Sequence, residues 1–179
     1  MDRKNILLIF GFIALTMVGF FGWKVFHQSS EQAFSNGDLF PEIRLTNPEG
    51  DSISLSSLKG NIVLVQFWAS WCGPCRRENA ELVPVYEKYK NDEMQDGGTF
   101  KIYSVSLDKK KSAWRKAIAN DGLTWSEQVN DSGDFKSSIA QAFSVHQIPT
   151  TYLLDQNGMV IGVDLSIMQL ENILENRKK

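Results

Sequence analysis

The chain has 179 residues, 42 % hydrophobic and 22 % charged, with a formal net charge of −2. That balance gives no reason to expect nucleic acid as a partner, which asks for a clustered basic face; the densest basic run, Lys109-Lys110-Lys111, reads as a solvated helix start. Only two cysteines are present, Cys72 and Cys75, so no sulfur is left over for a separate structural bridge.

From the N-terminus, Ile6 to Trp23 carries no charged side chain and is almost entirely apolar. A stretch of that length reads as a membrane-spanning helix. Arg3 and Lys4 precede it and Lys24 follows. The positive-inside bias places the N-terminus in the cytoplasm and the rest outside. A cleaved signal peptide would have a shorter apolar region and a small-x-small site, and Gly22 to His27 offers none. Residues 1–5 are therefore read as cytoplasmic, 6–26 as a single-pass anchor in the cytoplasmic membrane, 27–37 as a polar linker, and 38–179 as one domain in the periplasm or its extracytoplasmic equivalent. About 140 residues are enough for one domain with a real core.

Phe40 to Thr46 alternates as a strand, Asn47-Pro48-Glu49-Gly50 supplies turn chemistry, and Ile53 and Leu55 continue on a return strand, giving a β-hairpin. After the Lys59-Gly60 turn, Ile62 to Trp68 reads as a buried strand. Arg76 to about Lys90 reads as a helix whose buried stripe is Leu82, Val83, Val85, Tyr86 and Tyr89, kinked by Pro84. Phe100 to Leu107 is a second central strand. Ser112 to Asn120 is helical and closed by Gly122. Thr124 to Val129 is ambiguous between states. Phe135 to Phe143 reads as one short amphipathic helix. Thr150–Leu154 and Met159–Val163 form a hairpin around Asp155-Gln156-Asn157-Gly158. Ser166 and Gln169 form a capping box for a last helix that buries Ile167, Leu170, Ile173 and Leu174. Parallel pairing in the first half and an antiparallel hairpin in the second imply a mixed α/β sheet covered by helices.

The chemistry centres on Trp71-Cys72-Gly73-Pro74-Cys75, at a strand-to-helix junction. A Cys-x-x-Cys pair there is the arrangement of a dithiol that opens and closes a disulfide. Cys72 falls at the helix N-cap or first turn, where unpaired amides and the dipole favour a thiolate. Pro74 suits that first turn because its missing N–H has no cost there. Cys75 follows on the same helical face. Cys72 is then the attacking sulfur and Cys75 the one that breaks a mixed disulfide. A zinc site would have to draw on Cys72, Cys75, His146 and His27, and the usual paired spacing is absent.

Phe67 to Cys75 resembles the active-site segment of the thioredoxin superfamily. The preceding hairpin, the Lys59-Gly60 turn, and Val105-Ser106-Leu107-Asp108 followed by an inserted helix resemble one branch of it, the TlpA/ResA-like membrane-anchored thiol:disulfide oxidoreductases. The resemblance spans roughly residues 38 to 178. It implies a thioredoxin fold with an N-terminal β-hairpin and a central αβ insertion. It implies a cis Ile148–Pro149 bond against the cysteines, so that Trp71, Gly73, Pro74, Ile148 and Pro149 form the substrate contact. It also implies that Glu78 sits near the cysteines and tunes their titration. Two departures are visible. Gln66 stands where thioredoxin has a buried acid and cannot exchange a proton at neutral pH, and the helix proline is Pro84 where many relatives carry one at the position of Ala80. Arg76 and Arg77 read as solvated surface charges.

The resemblance and the Gly-Pro dipeptide point to a reductase, since thioredoxin lies near about −270 mV against about −120 mV for a strong oxidant. The expected partners are exported proteins with disulfides or thiols, apocytochrome c among them, and a CcdA- or DsbD-like membrane electron donor. No cofactor beyond the Cys72–Cys75 disulfide, no metal and a monomeric state are expected. The alternative chemistry is a peroxiredoxin-like thiol peroxidase.

Overall fold

The computed structural model describes residues 34–179. The anchor read at residues 6–26 and most of the linker lie outside the described residues. Among those described, no helix is long and apolar enough to cross a membrane.

Seven strands form one mixed sheet. In chain order they are β1 (Arg44–Thr46), β2 (Ser52–Ser54), β3 (Ile62–Trp68), β4 (Phe100–Ser106), β5 (Gln128–Asn130), β6 (Thr150–Leu154) and β7 (Val160–Val163). Their spatial order is β2-β1-β5-β4-β3-β6-β7. β3, β4 and β5 run parallel; β6 is antiparallel to β3, and the β6–β7 and β1–β2 pairs are antiparallel hairpins. The helices are α1 (Gly73–Tyr89), α2 (Lys111–Asp121), α3 (Ser138–Ala142) and α4 (Ile167–Arg177).

β3 is buried at every position, as a central strand covered on both faces must be. Its alternation sorts side chains between two cores. Ile62, Leu64 and Trp68 pack with Phe100 and Ile102 under α1, α2 and α4, with Leu82, Tyr89, Trp114, Leu170 and Leu174. Val63, Val65 and Phe67 face the other way, with Tyr103, Val105, Ile43 and Phe143. That second face is lined by a run of rings: Phe40 lies 5.0 Å from both Phe143 and Tyr152, and 5.2 Å from Phe34.

Several sequence expectations are revised. The first strand is shorter than Phe40–Thr46. Phe40 instead donates its N–H to the Gly158 carbonyl and Val160 donates to Asp38, so residues 37–40 pair beside the β6–β7 turn. Pro41 has no N–H to continue that pairing, and the chain turns under the sheet, burying Ile43, before β1 begins. Phe135 to Phe143 is not one helix. A 3-10 turn at Asp134–Lys136 gives way at Ser137, whose hydroxyl caps α3 through the Ala140 N–H. The ambiguous Thr124–Val129 segment ends in β5. Helix α1 starts at Gly73, three residues earlier than read, and runs through Pro84, which is exposed together with Ala80, the residue whose carbonyl its missing N–H would have met. In the buried stripes of α1 and α4, Val83, Ile167 and Ile173 are only partly covered. Gly122 closes α2 at φ 66°, a left-handed cap that suits glycine. The Ser166–Gln169 capping box is present in both directions.

Candidate active site

The loop after β3 delivers Cys72 to the N-cap of α1. Cys72 has extended backbone (φ −84°, ψ 102°), helical geometry starts at Gly73, and Pro74 occupies the first turn. The two sulfurs form a disulfide, with Cα atoms 5.3 Å apart. The Cys75 N–H donates to the Cys72 sulfur at 3.1 Å, so an amide at the positive end of the helix already points at the atom that carries charge when the pair opens. Cys72 is 5 % exposed and Cys75 is fully buried behind it. Cys72 is thus the more accessible of the two sulfurs.

Ile148–Pro149 is a cis peptide bond. The Ile148 carbonyl oxygen lies 3.7 Å from the Cys72 sulfur, and β6 starts two residues later, pairing Thr150 with Phe67. Trp71 is 54 % exposed and meets Phe135 edge-on at 6.1 Å, while Gly73 and Pro74 are exposed beside it. Trp71, Gly73, Pro74, Ile148 and Pro149 thus share one surface around Cys72. Trp68 is fully buried in the core.

Beneath the loop, Asp108 is buried and accepts hydrogen bonds from the Ser70 N–H (2.8 Å), the Ser70 hydroxyl (2.6 Å) and the Ser106 hydroxyl (2.9 Å). It ties the segment leading into Cys72 to the end of β4. Asp108 entered the sequence reading only as part of the family segment; its position two residues past β4 was the available signal.

Arg76 corrects the reading of a solvated pair. It is only partly exposed and grips both carboxylate oxygens of Asp121, at the end of α2, while donating to the Ser70 carbonyl at 3.3 Å. The hydrogen bond to Asp121 raises its pKa, ahead of the opposing effect of burial. Arg77 is exposed, as read.

Glu78 is one helical turn past Cys75. Burial pushes its carboxyl pKa up, a hydrogen bond from Gln66 opposes that, and the charges of Asp164 and Glu81 push further up. Gln66 is fully buried, and its amide nitrogen donates to Glu78 and to the Asn79 side-chain oxygen, both at 3.0 Å. Its oxygen accepts from the Ser104 hydroxyl at 3.1 Å, which in turn accepts from the Trp125 indole at 2.9 Å. Asn79 donates on to Asp121 at 2.9 Å. Sequence reasoning noticed Gln66 as a departure but missed its partners. A lone amide inside an apolar strand has to be satisfied by something, and Ser104, directly opposite on β4, was the place to look.

His146 is exposed. Among the described residues, no group of three or more His, Cys, Asp or Glu side chains is arranged to hold a metal ion.

Similarity to known proteins covers this domain and, for the curated relatives, extends beyond it. The AhpC/TSA family profile matches residues 36–163. The thioredoxin-like protein YneN of Bacillus subtilis is 28 % identical over 160 residues, covering 88 % of this chain and 89 % of that protein. The thiol-disulfide oxidoreductase ResA of Geobacillus kaustophilus is 27 % identical over 175 residues, 97 % of this chain and 95 % of that one. Among solved structures, the C-terminal domain of a putative thiol-disulfide oxidoreductase from Bacteroides thetaiotaomicron superposes with a TM-score of 0.72 at 33 % identity, covering 80 % of this chain and 95 % of that domain.

Proposed function

The chain belongs to the AhpC/TSA family and is a thiol-disulfide oxidoreductase, and from that premise we propose that it acts as a reductase of disulfides in exported proteins. The observation that carries this reading is the Cys72–Cys75 pair at the N-cap of α1, with Gly-Pro between the sulfurs and the second sulfur buried behind the first.

In the reduced protein the Cys72 thiolate attacks one sulfur of a substrate disulfide. A bond forms between Cys72 and that sulfur, and the other substrate sulfur leaves as a thiolate that takes up a proton. Cys75, having lost its own proton, then attacks the Cys72 sulfur, closes the internal disulfide and releases the second substrate thiolate. Two electrons pass to the substrate. The Cys75 N–H stabilises charge on Cys72 at the start of this sequence. The backbone around Ile148 offers polar groups to an extended substrate segment next to the sulfur, and Trp71 offers an apolar contact. Glu78, on the same helical face as Cys75, exchanges protons with the dithiol and tunes its titration.

Residues 6–26 anchor the chain in the cytoplasmic membrane in this reading, with the domain on the outer side, working as a monomer. Restoring the dithiol there takes electrons from a membrane carrier of the CcdA or DsbD kind, and apocytochrome c is one candidate substrate. The anchor is supported by the apolar N-terminal stretch, and the disulfide chemistry by the names of the ResA relatives. A thiol peroxidase is not better supported, since the ResA relatives and the superposed Bacteroides domain are named for thiol-disulfide exchange.

The deciding measurement is the midpoint potential of the full chain, equilibrated against a dithiol buffer. A value near that of thioredoxin, about −270 mV, is expected; a value above about −180 mV would place it with isomerases and oxidants.

A further inference from the structure

We propose that Gln66 is a positioning residue of the dithiol centre, held by the inserted segment as a double hydrogen donor to Glu78 and Asn79. The inference rests on the reading of Glu78 as a proton partner of the cysteines, and it adds what controls Glu78.

The argument is one of donor and acceptor counting. An indole N–H can only donate and a carboxylate can only accept. Trp125, between α2 and β5, donates to the Ser104 oxygen, so Ser104 turns its own proton to Gln66, and Gln66 must meet it with oxygen. At the other end Asp121 accepts from Asn79, so Asn79 must turn its oxygen to Gln66, and Gln66 must meet it with N–H. Both constraints give the same amide orientation, and the second N–H of Gln66 is left pointing at Glu78. The inserted segment supplies both ends of this chain, at residues 121 and 125, while Gln66 and Ser104 are opposite each other across β3 and β4. Trp125 also stands apart from the other buried indoles among the described residues. Trp68 and Trp114 have N–H groups without a partner, whereas that of Trp125 is used.

The electrostatic setting gives this bond its weight. The charged groups that act on Glu78 are Asp164, before α4, and Glu81, one turn along α1, and both oppose its ionisation, as does burial. Of the two arginines that precede Glu78 on the same helix, Arg76 is committed to Asp121 and Arg77 is exposed. Gln66 is the group that favours the Glu78 carboxylate.

The test is the pH dependence of Cys72 alkylation in the reduced full chain. Glu78→Gln identifies the inflection that belongs to Glu78 by removing it. Gln66→Met, which keeps the volume and removes the donor, is expected to move that inflection to higher pH, by about tenfold in the acid constant. Ser104→Ala and Trp125→Phe are expected to move it the same way by about threefold, because they loosen the amide without deleting it. None of the three should change the profile further when combined with Glu78→Gln. A Gln66→Met profile equal to wild type, while Glu78→Gln alters it, overturns the inference and leaves Glu78's role standing. If Gln66→Met does not fold, an unmoved inflection in both Ser104→Ala and Trp125→Phe has the same force. A Glu78→Gln profile equal to wild type overturns both readings together.

Discussion

The two faces of the sheet are built from the same strands and use opposite chemistry. On one face Val63, Val65 and Phe67 meet a run of aromatic rings from Phe34, Phe40, Phe143 and Tyr152. On the other, the same strand presents Ile62, Leu64 and Trp68 but interrupts them with Gln66, and a buried polar chain runs from Trp125 to Asp121 beneath the cysteine helix. Alternation along a strand lets neighbouring residues serve the two purposes independently. Apolar burial on the ring face supplies stability, whereas the polar chain adds little net stability while fixing where protons sit. The difference teaches that damage to either face should be separable in the laboratory.

The sharpest separation comes from the sulfurs. Cys72→Ser should reduce disulfide exchange by more than about a thousandfold, as loss of a nucleophile does, with little change in the melting temperature of the reduced protein; insulin-type turnover and a thermal scan on the same sample check this. Cys75→Ala should instead accumulate mixed disulfides on Cys72, visible on non-reducing gels. Damage to the ring face should show the reverse pattern. Phe40→Ala is expected to cost about 3–5 kcal/mol in denaturant unfolding, while the exchange rate per folded molecule is unchanged. A large rate loss in the folded fraction of that variant would break the division between the faces.

Next in size is the pH dependence of stability. The Glu78 carboxyl has its pKa raised by burial in the folded chain. The folded state therefore binds the proton more tightly than the unfolded one, and stability contributed by this group is present below the ordinary carboxyl range and lost as pH rises through the raised value. Glu78→Gln should remove that loss, so its stability relative to wild type should grow as pH rises above the ordinary carboxyl range in urea titrations. The smallest effect is expected from Trp71→Ala. The side chain is more than half exposed, so stability should change by no more than about 0.5 kcal/mol, while KM for a protein disulfide rises and kcat holds; the two parameters measured separately decide it.

Much of this was legible in the sequence where one local signal settles the structure. The bounds of β3 follow from an apolar run that only Gln66 interrupts, those of β6 from a β-prone run that stops at the Asp155–Gly158 turn, and the α4 start from its capping box. The position of Cys72 at a helix N-cap follows from the strand-to-helix junction and Pro74. What stayed hidden depends on contacts between distant residues. Arg76 reads as a surface charge until Asp121, 45 residues on, is seen beside it. The Phe135–Phe143 periodicity conceals the break at Ser137, because a capping hydroxyl and a helical serine look alike in a string of letters. Gln66 was visible as an oddity, but its meaning lies in Ser104 and Trp125, which become its neighbours only once β4 is paired and the insertion folded over it.

The placement of two indoles just before the sulfurs has a practical consequence. Trp68, buried, and Trp71, largely open to solvent, both precede Cys72 within four residues. A disulfide quenches the emission of a tryptophan it touches and a dithiol does so less. Reduction of the pair is therefore expected to change the chain's tryptophan emission, and stopped-flow fluorescence of the reduced and oxidised protein, without a dye or a coupled assay, checks it.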